Sequence, residues 1–180
     1  AYAGRRAHAG QALLAVLART DAKRYPALAS RARWMLGTTL LREGRTEVAL
    51  RHLRAAAVAF GRLSEREHSA AVQAVAAHAV YTLGDSRATA SAVRDALAAL
   101  RGYPASSWRY NALYAAALSA ERDGLARLAL CVQDEAVTVA ARGSRPALLA
   151  EAQAARARLA VAGGSARRAG ARGDVDRARR

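Results

Sequence analysis

The chain has 180 residues, a net charge of +15, 53% hydrophobic residues and only 5% aromatics. This is enough apolar material for one domain or a short repeat array. A single cysteine, Cys131, excludes an internal disulfide framework, and no run approaches the roughly 20 uninterrupted apolar residues of a membrane span. The apolar share is mostly alanine and leucine, β-branched residues are scattered and nothing alternates with period two. The fold class is therefore all-α.

The opening segment, AYAGRRAHAGQALLAVLART, has arginines and an interrupted apolar run of helical period. That pattern argues against a signal peptide, and the cytoplasm is the expected compartment. Helices are predicted over 5–20, 26–43, 46–62, 67–83, 86–101, 107–123, 125–142 and 146–162. Pro26 can open its helix in the first turn, where the missing amide hydrogen costs nothing. Thr46, Asp85 or Ser86, Ser107, Ser144 and Ser165 stand where N-caps or first-turn residues are needed. The basic tail from residue 165 is poor in bulky apolar side chains and reads as a frayed helix or linker.

A repeat organises these elements. Gly4, Gly44, Gly84 and Gly124 are evenly spaced, and Gly163 or Gly164 continues the series. The period is about 40 residues, within the range of helical repeat arrays. A glycine just past a helix takes the left-handed conformation that reverses the chain. The residues between Ala29 and Leu63 read as one complete hairpin of two amphipathic helices turning at Gly44. Such a hairpin cannot bury its apolar stripe alone and needs stacked neighbours. The units are a partial one over 1–25, complete ones over 26–64, 65–105 and 106–145, and a partial one from 146. Incomplete ends and an N-terminus without methionine lead to the expectation of a piece cut from a longer array.

The basicity is uneven: the first 24 residues carry +4, the last 18 another +4, and the 138 between them +7. Lys23 is the only lysine, and an Arg-, Ala- and Gly-rich composition is what GC-rich coding produces. Many arginines sit three or four residues from an acid, as Arg62 and Glu65 do, a spacing typical of a solvated, ion-paired helix face. Nucleic acid is thus not the expected partner. If it were, affinity would fall steeply with salt.

Catalytic chemistry finds little support. Cys131 lies in the apolar run LALCVQDEA and reads as a buried small hydrophobe. His52, His68 and His78 have no evident carboxylate or thiolate companions at metal spacing. Phosphate-cradling and nucleophile-elbow motifs are missing, and Asp134-Glu135 and Arg122-Asp123 read as surface pairs. The expectation is a chain that is not an enzyme and uses no cofactor or metal.

Leu36-Gly37, Leu40, Gly44, Ala49, Leu53 and Ala56, with Trp34 near the start, resemble the pattern of the tetratricopeptide repeat (TPR). Ala76-Ala77, Val80, Gly84, Thr89, Val93 and Ala96 repeat it, as do Ala116-Ala117, Ala120, Gly124, Ala129, Gln133 and Ala136. The resemblance implies a right-handed α-solenoid of antiparallel hairpins that binds a protein or peptide on its concave face. The family's ligand-facing positions fall on Arg31, Trp34, Thr38, Leu41 and Arg42, then Ala71, Ala74, His78, Tyr81 and Thr82. In the third unit they fall on Asn111, Tyr114, Leu118, Glu121 and Arg122, and in the fourth on Gln153 or Arg158. Helical spacing puts Trp34, Thr38 and Leu41, or Asn111, Tyr114 and Leu118, on one face. Arg, Tyr and Trp are common binding anchors, and the basic groups suit an acidic peptide. Trp34, Tyr81 and Tyr114 equally suit a role as fillers between alanine-rich helices. The family's lysine and asparagine clamp for a chaperone C-terminus is not reproduced, since those positions carry residues such as Trp34 and Thr38. Arrays of this style also resemble those preceding bacterial CHAT (caspase-like) peptidase domains, whose His/Cys catalytic domain is not within these residues, and the arms of large bacterial transcription activators. A sensor or autoregulatory arm is therefore the alternative function.

Overall fold

Gly44, Gly84 and Gly124 have φ of +78°, +87° and +73° and end three helices at equal intervals. A computed structural model of the chain describes residues 2–178 apart from 105 and 144, with side chains over 8–162. The described residues form eight helices and no strand: α1 (Tyr2–Arg19), α2 (Pro26–Arg42), α3 (Thr46–Arg62), α4 (Arg66–Thr82), α5 (Ser86–Ala99), α6 (Ser107–Arg122), α7 (Ala126–Arg142) and α8 (Pro146–Ala178). The fold is all-α, and the predicted helices match those observed closely from α2 to α7.

The turn chemistry explains the period. At Gly44 the amide of Arg45 donates to the Leu40 carbonyl at 2.9 Å and the amide of Gly44 to Leu41 at 3.1 Å. This pair of bonds satisfies carbonyls that a helix end would leave orphaned. Leu125 and Gly124 repeat the arrangement on Ala120 and Glu121. Between units the same reversal falls on Ser64, a non-glycine residue at φ +60°. Asp85 caps α5 by accepting from the Ala88 amide at 2.8 Å, and Pro26 opens α2. Thr46 opens the first turn of α3, as expected, with Arg45 at the cap; the cap of α6 is Ser106, so Ser107 is its first helical residue, and Ser165 is inside α8. Ser144 lies outside the described residues.

The ends of the chain depart from the period. Gly4 is inside α1, and Gly163 and Gly164 are inside α8, a continuous helix of 33 residues that also contains most of the expected linker. A lone glycine lowers helix propensity by about 1 kcal/mol and does not compel a break. Where Gly44 and Gly124 do end helices, the chain folds back to bury an amphipathic partner.

Each helix packs on the next in the chain from α1 to α8, and α4 also lies closely along α6. The pattern positions on α3, α5 and α7 are buried in every unit: Ala49, Thr89 and Ala129; Leu53, Val93 and Gln133; Ala56, Ala96 and Ala136. On α2, Gly37 sets the closest approach. A Cβ there would stand 2.8 Å from Leu53 Cγ and 3.1 Å from the Ala49 carbonyl oxygen. Cys131 is exposed, against the sequence reading. Its helix turns Ala129, Gln133, Ala136 and Ala140 inward, and Cys131 falls off that stripe.

Candidate functional site

The first helix of each hairpin, α2, α4 and α6, lies on the same side of the array as α8. Because α4 and α6 pack closely while α2 touches α4 only slightly, the pair forms a floor and α2 and α8 form flanking walls. A cavity of about 360 Å³ lies between them, lined by Thr38, Leu41 and Arg42 from α2, Val75, His78 and Thr82 from α4, Tyr110, Asn111 and Tyr114 from α6, and Leu148 and Glu151 from α8. Its volume falls within the range of small-ligand sites.

A second cavity of about 240 Å³ adjoins it through shared Thr38 and Arg42 and is lined by Trp34, Met35, Thr39 and Trp108. The two indoles sit 5.1 Å apart, and Trp34 also meets Phe60 and His68 edge-on at 6.0 Å. Trp34 thus anchors one edge in the core and leaves part of its surface to the cavity. Met35 beside it is 58% exposed. Behind this cluster Glu65 joins α2 to α4, accepting from Arg31 at 3.5 Å and standing 3.0 Å from His68 Nδ1. His68 therefore has the carboxylate companion that the sequence had not disclosed.

The ten residues nominated most firmly from the sequence separate into groups. Thr38, Arg42, His78, Asn111 and Tyr114 line the first cavity, and Trp34 lines the second. Arg31 is held by Glu65. Tyr81 and Arg122 form a staple between α4 and α6 that contributes to neither cavity. Leu118 is half-buried and lines neither. Of the other positions that the resemblance singles out, Ala71 and Ala74 are buried in the packing of α4, and Glu121 is paired with Arg158. Sequence reasoning missed Tyr110, Trp108 and Glu151. Glu151 was accessible by arithmetic, because it stands one full period beyond Asn111 and three beyond Arg31. Gly163 and Gly164 lie inside α8, so no turn marks that register as Gly44, Gly84 and Gly124 do in the earlier units.

Tyr110 is 1% exposed and its Oη has no hydrogen-bond partner. Burial, then the charge of Glu151 and the neighbouring Tyr114, push its pKa well above the ordinary phenol range. Glu151 acts on it through its charge and through a hydrogen-bonding approach of its carboxylate that stays too loose to count as a formed bond. The Tyr110 and Tyr114 rings stack at 5.8 Å with 13° between planes. Burial lowers the pKa of His78, favouring the neutral imidazole. Arg42 is exposed at the rim and makes no ion pair among the described residues.

A larger, mainly apolar cavity of about 660 Å³ lies on the opposite side, between α5 and α7, with Leu97, Leu113, Leu125, Leu128 and Val132 among its walls. Several of its polar groups are engaged within the chain: Thr89 bonds the Asp85 carbonyl, Ser86 bonds Asp123, and Arg109 pairs with Glu135. Size notwithstanding, it offers fewer groups for recognition than the α2–α8 side. No trio of His, Cys, Asp or Glu is placed to hold a metal ion among the described residues, and no described helix is long and apolar enough to cross a membrane.

No protein-family model, curated protein or solved structure matches the chain.

Proposed function

We propose that this chain is a non-catalytic scaffold that binds an extended peptide segment of a partner protein, in the manner the TPR resemblance implies. In this reading the hairpins form a right-handed solenoid working in the cytoplasm, and the side bearing α2, α4, α6 and α8 is its concave face. One observation carries it: two cavities on that side adjoin through Thr38 and Arg42, so an aromatic-lined pocket and a polar pocket make one continuous groove. A peptide spanning both can seat an apolar side chain against Trp34 and Trp108. It can present a carboxylate to Arg42 between the pockets. The net charge of +15 favours a peptide with acidic flanks.

The test is selection of acidic peptides on the full chain, followed by fluorescence anisotropy with Arg42→Glu and Asn111→Ala. Each substitution should weaken binding at least tenfold while helical circular dichroism stays unchanged. Undiminished binding by both variants would overturn the groove assignment. Binding of a short DNA duplex with a steep dependence on salt would favour the nucleic-acid alternative.

A further inference from the structure

Apart from the Arg42 guanidinium and the Asn111 amide, the hydrogen-bonding groups of the polar pocket lean toward acceptors. Thr38 Oγ1 donates its proton to the Trp34 carbonyl at 3.0 Å, and Thr82 Oγ1 donates to the Ala79 carbonyl at 2.8 Å. The Thr38 hydroxyl therefore turns only lone pairs toward a ligand, while Thr82 Oγ1 is shared between the Ala79 carbonyl and Thr46 Oγ1 at 3.3 Å. Glu151 adds a carboxylate from the α8 wall, and neutral His78 can offer a ring nitrogen as acceptor. The unpartnered Oη of Tyr110 stands among them, at a burial where an unmade hydrogen bond is costly. Half-buried Tyr114, stacked on Tyr110, adds an aromatic wall to a lining suited to a cation carrying several N–H donors.

We propose that this pocket seats the side chain of a lysine in the bound peptide, its ammonium donating to Tyr110 Oη and the Glu151 carboxylate while its methylenes lie along Leu41, Val75 and Leu148. Tyr110, already within the influence of Glu151, can then donate its own proton to that carboxylate, so that one ligand draws the hydroxyl and the acid together. Arg42, on the opposite wall from Glu151, faces an acidic residue flanking the lysine. The proposal rests on the groove reading for the source of the lysine, but the ammonium chemistry of the pocket can be tested separately.

Isothermal titration of the full chain would use Nα-acetyl-lysinamide, its Nε-acetylated form, and an acidic nonapeptide with one central lysine or norleucine. The lysine peptide is expected to bind at least tenfold tighter than both the norleucine peptide and free lysinamide. Lysinamide should bind detectably, and its Nε-acetylated form should not. Glu151→Gln should cost at least tenfold, and Arg42→Gln should leave lysinamide binding intact or tighter. Tyr110→Phe separates function from structure, because it should lower lysine affinity several-fold while the melting temperature holds or rises. Equal binding of the lysine and norleucine peptides, or no effect of Glu151→Gln, would overturn the proposal. Lysinamide binding without any gain from the peptide would overturn the peptide source and the groove reading, leaving a free-amine pocket.

Discussion

The guanidinium of Arg122 lies 4.5 Å from the centre of the Tyr81 ring, and its Nη1 donates to the carbonyl of the same tyrosine at 2.7 Å. Its Nη2 reaches Ser86 Oγ at 3.1 Å, and that hydroxyl donates to Asp123 at 2.6 Å. One side chain on α6 thus covers the end of α4 and the start of α5. The two residues stand one position off the same register of the repeat and form a joint between neighbouring units.

Replacing Arg122 with Ala should remove a cation–π contact and two hydrogen bonds, for a loss of about 1 kcal/mol. Thermal unfolding should register a drop of a few degrees. Combining it with Tyr81→Leu in a double-mutant cycle should give a coupling of about 0.5–1 kcal/mol. Additive effects would mean that the two side chains do not cooperate. Peptide affinity should change little in either variant.

Gly37→Ala should destabilise the α2–α3 hairpin by about 1–3 kcal/mol. The added methyl would meet Leu53 Cγ at 2.8 Å and the Ala49 carbonyl at 3.1 Å. The leucine could move, but the backbone carbonyl could do so only by spreading the helices. Denaturant titration checks this, and an unchanged midpoint would mean that the hairpin relaxes freely.

Gln133 is fully buried, and its Nε2 donates to the Ala152 carbonyl at 2.9 Å while its Oε1 has no partner. Leu53 and Val93 hold the same register two periods and one period earlier. Gln133→Leu should therefore stabilise the chain by about 1 kcal/mol, since an unsatisfied buried acceptor is removed and apolar volume kept. A lower melting temperature would show the bond to Ala152 to be worth more than the orphaned oxygen costs.

His78 and His52 both have pKa values lowered from 6.5, His78 by burial and His52 by burial with Arg33 and Arg51 adding to it. The unfolded chain then binds protons before the folded one does. Stability is complete above the unfolded pKa and declines as pH falls from about 6.5 toward the folded values. Melting temperatures between pH 8 and pH 5 should follow that course, and His78→Gln should flatten it. An unaltered slope would assign the effect to other groups.

The hairpins were legible because one signal, a glycine recurring at a constant interval, coincided with helical periodicity and with small residues at close contacts. Gly44, Gly84 and Gly124 each serve that role physically through a left-handed backbone. Gly4, Gly163 and Gly164 share the composition without the conformation, because spacing alone cannot say whether a partner helix folds back. Cys131 was misread because its apolar neighbours belong to the opposite face of α7. Trp108 and Tyr110 escaped notice because the equivalent positions one period earlier are His68 and Ala70, so no aromatic recurs there to mark them. The Tyr81–Arg122 joint was beyond reach from sequence, since its partners belong to different units and meet only through the stacking of α4 on α6.

α4 seats closely on α6, while α2 and α8 are anchored mainly on α3 and α7. The flanks are held partly by side-chain tethers, Arg31 to Glu65 on one side and Arg158 to Glu121 on the other. Such exposed ion pairs are screened as ionic strength rises. In concentrated salt these tethers weaken, and α2 and α8 are then held in place by their packing on α3 and α7.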